Sequence, residues 1–360
     1  MTTATDIAAT SAASAETPGG TAPGGGGSGQ EPPPAIVGQR PASRRKWVLA
    51  LMLGLLFLLL LALGAWYLLF RKPIADIIPP AVVQLMPSYQ YSFAGVTKPQ
   101  DIAASADGSR VYVTQTEGTE DTVILDKSGK QLGKLQLPQG TTGHPFYVAV
   151  SPKTGEVYAS DRRDGTVFVF KPDGTYEKDF DNGTKDPWQP LGISFDAAGN
   201  LFVGDVGPHG PVVHEFGPDG KPVADFGASS GLGTPSGIAE DSNGNVYVTD
   251  TNNGRMLIFS PTGALIGQIA KGMTDASLGL PVGVAFDDKG HILVVDSAGS
   301  AIQIYSPIKS GASSLEYVGH VGQQGAADGS FLYPNGMHLD AQGRIYVADY
   351  GNDRAQVWSY

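Results

Sequence analysis

The stretch PSGIAEDSNGNVYVTDTNNGR, residues 235–255, decides the fold. It opens with a proline and a short apolar run and passes through the glycine turn DSNGN. The strand VYVTD follows, and the stretch ends in a polar loop. Glycine supplies the positive φ that such tight hairpins need. β-Branched and aromatic residues suit the strand. The same phrase opens at Pro99, Pro145, Pro190, Pro235, Pro281 and Pro334, at spacings of 46, 45, 45, 46 and 53 residues. Each proline leads into an apolar run: QDIAAS, FYVAVS, LGISFD, SGIAED, VGVAFD and NGMHLD. Each run leads through a glycine turn into VYVTQ, VYASD, LFVGD, VYVTD, ILVVD or IYVAD. A period near 45 with four short strands per unit predicts an all-β, six-bladed β-propeller.

The last copy stops at AQVWSY, which aligns with RMLIFS of the fourth, so it lacks an outermost strand. A spare strand, YQYSFAG at 89–95, lies just before the first proline. Pairing it with the last blade closes the ring and removes two open sheet edges.

These units resemble NHL repeats, in the pattern P-x-G-[IV]-x-x-D, then G-N-[VI]-Y-V-x-D-x-x-N-x-R. The fourth copy departs from it by the acidic pair Glu240-Asp241. The sixth keeps Pro334, Gly336, Asp340, Asp349, Asn352 and Arg354, and the first has Gln115 where the others have aspartate. The resemblance covers residues 88–360 and implies a propeller. An anchored NHL propeller also resembles the sensor part of bacterial receptor kinases. Residues 1–46 hold no kinase, so a sensor here would signal through a cytoplasmic partner.

Outside the repeats the composition changes. The chain has 360 residues, 49 of them glycine, and no cysteine, so thiolate chemistry and cysteine-ligated zinc are excluded. Residues 1–46, with TPGGTAPGGGGSGQEPPP, are too poor in large apolar side chains to fold and read as a disordered cytoplasmic tail. Residues 47–70, WVLALMLGLLFLLLLALGAWYLLF, carry no charge. At ~1.5 Å per residue the run spans roughly 36 Å as a helix, enough to cross a membrane. Trp47, Trp66 and Tyr67 sit where interfacial aromatics belong. The run is too long, and starts too late, for a cleaved signal peptide. Arg40, Arg44, Arg45 and Lys46 precede it against Arg71 and Lys72 behind, which predicts a single-pass protein of the cell membrane, N-terminus cytoplasmic and propeller extracytoplasmic. Residues 71–88 form a Pro-rich tether. Beyond Asp76 there are 18 basic and 31 acidic residues, a net of −13 that argues against nucleic acid.

Enzymatic readings centre on the axis. NHL-like peptide-amidating lyases hold a metal on histidines that follow the blade proline. Here that column reads Gln100, Phe146, Leu191, Ser236, Val282 and Asn335. Gluconolactonase-like propellers hold a divalent cation on axial carboxylates and amides. Gln100, Asp101 and Asn335 are the residues that match, and Asp101 stands where most copies have glycine. That alternative is a metal-dependent lactonase, hydrolase or lyase. Otherwise no cofactor is expected. His338, in a column of alanine and serine, reads as a buried side chain with its partners satisfied. His144 and His209 read as surface loops, and His214-Glu215 lies on a strand and forms no zincin motif. The strand-end aspartates Asp161, Asp205, Asp250, Asp296 and Asp349 read as caps of the loop backbone. Arg255 and Arg354 read as ion pairs between blades.

The entering strand starts on the face that carries the glycine hairpins, so the opposite, loop-bearing face is expected to point away from the membrane. Loops on a rigid scaffold carry binding. Arg162, Arg163, His209, Asn253, Tyr333 and Tyr350 are the candidate contacts there. The leading expectation is an extracytoplasmic binding or scaffolding module for a protein, peptide or envelope glycan.

Overall fold

The computed structural model describes residues 51–61, 86–270, 277–308 and 315–360. The chain divides into two units, residues 1–72 and 73–360. In the first, residues 51–61 are helical with exposed side chains. Among the described residues no helix is long and apolar enough to cross a membrane. The rest of the apolar run at 47–70, the tail at 1–46 and most of the tether lie outside them.

The second unit contains six four-stranded antiparallel sheets. Blade four is typical. Its strands, from the axis outward, are Pro235–Glu240, Val246–Asp250, Arg255–Phe259 and Leu265–Ile269. The innermost strands of the other blades are Pro99–Ala104, Tyr147–Val150, Pro190–Phe195, Pro281–Phe286 and Pro334–Leu339. Each innermost strand packs on the next, and that of blade six packs on that of blade one, so the sheets form a closed ring. Ser88–Ala94 supplies the outermost strand of blade six, with Ser88 opposite Ser359 and Ala94 opposite Arg354. Arg344 also faces Ser359, which puts the start of that entering strand on the hairpin face.

Three repeated features hold neighbouring blades together. The blade proline begins its strand, where a missing N–H is tolerated, and the register slips just after it. Two residues further on, glycine lets innermost strands approach closely. A Cβ on Gly192 or Gly237 would strike the backbone of the following blade at Ser236 or Val282. Hydroxyls on the second strands then reach across. Thr114 Oγ1 donates to the Phe146 carbonyl, Ser160 Oγ to that of Leu191, and Thr249 Oγ1 to that of Val282. Behind them, Tyr112, Phe202, Tyr247 and Tyr346 are fully buried between sheets.

Phe93, on the entering strand, is 2% exposed in the cluster that joins blade six to blade one, with Tyr346, Val357 and Ile102. A Phe93→Ala variant is expected to lose about 3–5 kcal/mol of stability, measured by chemical denaturation. A loss below about 1 kcal/mol would mean that closure does not depend on this strand's packing.

Candidate functional site

Each end of the propeller axis is built differently. At the loop face, the strand-end aspartates of blades three to six bind the link that enters their blade. The Asp250 carboxylate accepts from the amides of Gly233 and Thr234, both at 2.9 Å, from Asn253 Nδ2 at 2.7 Å and from Arg255 Nε at 2.9 Å. Burial pushes its pKa up, but these donors outweigh burial and hold it below the usual range. Arg255 continues to the carbonyls of Ser230 and Gly231. In blade six Asp349 binds the Leu332 amide, Asn352, Arg354 and Gln356. Asp250 and Arg255 face each other on adjacent strands of one blade, as do Asp349 and Arg354. The expected pairing between blades is therefore corrected: two neighbouring strands place these residues opposite one another, and the arginine's remaining N–H groups tie down the incoming link.

This scaffold sorts the candidate loop residues. Asn253 spends its amide on Asp250 and on the Gly231 carbonyl at 3.3 Å. Arg162 is exposed, with Nε 3.2 Å from Gln189 Oε1, and Arg163 and His209 are exposed as well. Tyr350 is half-buried under the Lys98 ammonium, 5.6 Å from its ring centre. Tyr333 is 53% exposed, and its φ of 49° lies in the left-handed region that side-chain-bearing residues avoid. Phe146 and Leu280, which sequence reasoning did not single out, add exposed apolar surface beside the axis at 40% and 37%.

On the axis itself, the loop end is filled. Asn335 Nδ2 donates to Gln100 Oε1 at 3.2 Å. The buried Tyr147 hydroxyl lies near Ser236 and Gln100, which lower its pKa, but burial outweighs them and pushes it up to about 12. Gln100 and Asn335 thus meet as expected for neighbours around the ring. Asp101 lies one residue deeper, where its carboxylate accepts from the Val148 amide at 2.9 Å. Among the described residues, no three His, Cys, Asp or Glu side chains converge as metal ligands. Tyr147 was missed, although the signal was present: like Asp101, it stands in the glycine column.

Beneath this layer lies a cavity of about 430 Å³, lined by all six innermost strands and reaching the turn residues Ala106, Pro152, Ala197 and Ala341 of the hairpin face. Burial raises the Asp101 pKa to about 7 against its two backbone hydrogen bonds. Glu240 is also raised to about 7, by burial and then by its hydrogen bond and charge repulsion with Asp196. His338 lines the same wall, half-buried. Burial lowers its pKa to about 4 against the nearby Asp340 charge. No hydrogen bond to its imidazole occurs among the described residues, so the expectation of a satisfied buried histidine is corrected: the ring lines the cavity, with its centre 6.4 Å from that of Tyr346.

With this geometry established, comparison with known proteins places the repeats. Residues 232–259 and 278–305 match the NHL repeat profile, so the chain carries NHL repeats on a six-bladed propeller. The mouse protein "NHL repeat-containing protein 3" is 26% identical over 222 residues, 60% of this chain and 52% of that protein. The chain thus spans about half the length of this curated relative. Among solved structures, a streptogramin B lyase aligns with a TM-score of 0.53 and 15% identity, over 76% of this chain and 98% of its own. A virginiamycin B lyase from Staphylococcus aureus aligns with a TM-score of 0.54 and 15% identity, over 76% and 100%. At such identity these likenesses speak for the fold alone.

The pKa of Asp101 gives a prediction. A carboxyl whose folded pKa lies above its unfolded value favours folding least when ionised, so its cost is absent below about pH 4 and grows as pH rises to about 7. Asp101→Asn should therefore be more stable than wild type above about pH 7, by up to about 4 kcal/mol, with the difference shrinking toward pH 4. Denaturation midpoints across that range test this. A pH-independent difference would contradict it.

Proposed function

We propose that the chain is a membrane-anchored, extracytoplasmic binding module whose loop face docks a macromolecular partner: a protein, a peptide or an envelope glycan. The single observation that carries this reading is the filled loop end of the axis. Gln100, Asn335, Tyr147 and Ser236 close it, so that face offers a broad surface rather than a pocket. Around it stand the exposed Tyr333, Phe146 and Leu280 with the guanidinium groups of Arg162 and Arg163. Aromatic and arginine side chains on a rigid frame are the groups that dominate binding energy. The left-handed backbone of Tyr333 is a strain retained on an exposed residue, which fits a presented contact. The uncharged run at 47–70 and its basic leading flank support the anchor and its direction.

Two experiments test the two halves. A photo-crosslinking residue at Tyr333 should trap a discrete partner in producing cells, while the same probe at Ser109, on the hairpin face, should not. Adding Arg163→Ala to the Tyr333 probe should reduce the trapped fraction by about tenfold. Equal trapping at both faces would overturn the loop-face reading. For the anchor, wild-type chain should stay in the membrane pellet through an alkaline carbonate wash, and deletion of residues 47–70 should release it. Wild-type chain found in the supernatant would overturn the anchor.

A further inference from the structure

The axial cavity opens away from the proposed docking face, and its chemistry is distinct. Its walls are apolar, with Ile102, Val148, Ile193, Ile238, Val284 and Met337 contributed by successive blades. Four carboxyl groups line it, and three of them, Asp101, Asp196 and Glu240, have no salt-bridge partner among the described residues. Asp340, at the same rim, is paired with Arg344 at 2.7 Å. Asp101 lies at the closed end, 7% exposed. Asp196 and Glu240 lie at the open end on adjacent blades, close enough for their charges to repel, with Asn200 donating twice to Asp196 at 2.7 Å. Two further polar groups line the wall uncommitted. Ser194 Oγ is buried without a hydrogen-bond partner, and the His338 imidazole makes none.

The strand register sets the spacing of the charges. Gly237 is the blade-four counterpart of Asp101, and Glu240 lies three residues beyond it on the same strand. At ~3.3 Å per residue, the backbone levels that carry the two carboxyls are about 10 Å apart along the strand. A single metal ion cannot bridge that distance. A monovalent amine satisfies one end and leaves the other carboxylate buried and uncompensated. A linear aliphatic dication meets both ends, with its methylene chain against the apolar wall.

We propose that this cavity binds a linear aliphatic diamine or polyamine, with one ammonium at Asp101 and a second at the Asp196–Glu240 pair. His338, on the same wall, is in place to accept a remaining N–H. Where the other innermost strands carry Ala104, Val150, Phe195, Phe286 and Leu339, blade four carries Glu240, the residue that completes the outer half of this site.

Isothermal titration of the full chain in detergent, at about pH 8, tests the proposal with putrescine, hexamethylenediamine, octamethylenediamine and hexylamine. Hexamethylenediamine should bind about ten- to a hundred-fold more tightly than hexylamine, and putrescine, too short to span both ends, should fall toward hexylamine. Asp101→Asn and Glu240→Gln should each remove most of the diamine advantage while leaving hexylamine affinity within about threefold for at least one of them. Circular dichroism melting establishes that each variant is folded. Glu240 is at the rim, so its variant carries the test should Asp101→Asn misfold. Diamine binding no tighter than that of hexylamine, or binding unchanged in the folded Glu240→Gln variant, would overturn the proposal.

Discussion

Four of the six blades are fastened to the chain that enters them by an aspartate at the end of the second strand. Asp205 accepts from the Gln189 amide, Asp250 from Gly233 and Thr234, Asp296 from Gly279 and Leu280, and Asp349 from Leu332. These carboxylates are almost fully withdrawn from water. Backbone amides aimed at a buried carboxylate compensate its lost hydration, and the carboxylate in turn satisfies amides that would otherwise be orphaned. Because the link is held, the next innermost strand starts at a fixed height on the axis. The close approach at the glycine column and the hydroxyl contacts between blades follow from that placement.

Blades differ in what completes this joint, and the differences fall where charge is exposed. Blades four and six add arginine and asparagine to the aspartate. Blade three uses His214, which lies between Asp205 and Asp225. Burial lowers its pKa, but the two carboxylates outweigh burial and raise it. Blade two has neither. Asp161 Oδ2 is left without a hydrogen-bond partner, burial raises its pKa, and Asp164 takes over the link by binding Thr142 and Gly143. Arg162 and Arg163 are therefore not consumed by the joint, which leaves them exposed on the loop face.

The two ends of the axis follow from one column of residues. Four blades carry glycine there, and blades one and two carry Asp101 and Tyr147. The tyrosine fills the loop end, and the aspartate forms the floor of the space beneath it. A propeller with glycine at all six positions would lack both the plug and the buried carboxyl. Thus two substitutions in a repeated pattern separate a closed loop end of the axis from an acidic cavity that opens at the hairpin face.

The repeat alone determined much of this. Six prolines at near-constant spacing, with a glycine turn and a β-branched strand after each, leave few alternatives to a closed ring of four-stranded sheets, because strand periodicity and turn chemistry are local. The missing last strand and the spare first one were legible for the same reason, as were the capping role of the strand-end aspartates and the adjacency of Gln100 and Asn335. Tertiary structure decided what lies across the ring. Asp196 and Glu240 are 44 residues apart in sequence, and their charges interact only because blades three and four are neighbours. Whether His338 found a partner, whether Tyr147 crossed the axis, and whether Asn253 faced solvent or Asp250 each depended on which side chains six separate strands bring to one point. A one-dimensional pattern specifies each strand's faces, but the separation and burial of groups from different blades are set by the packed ring.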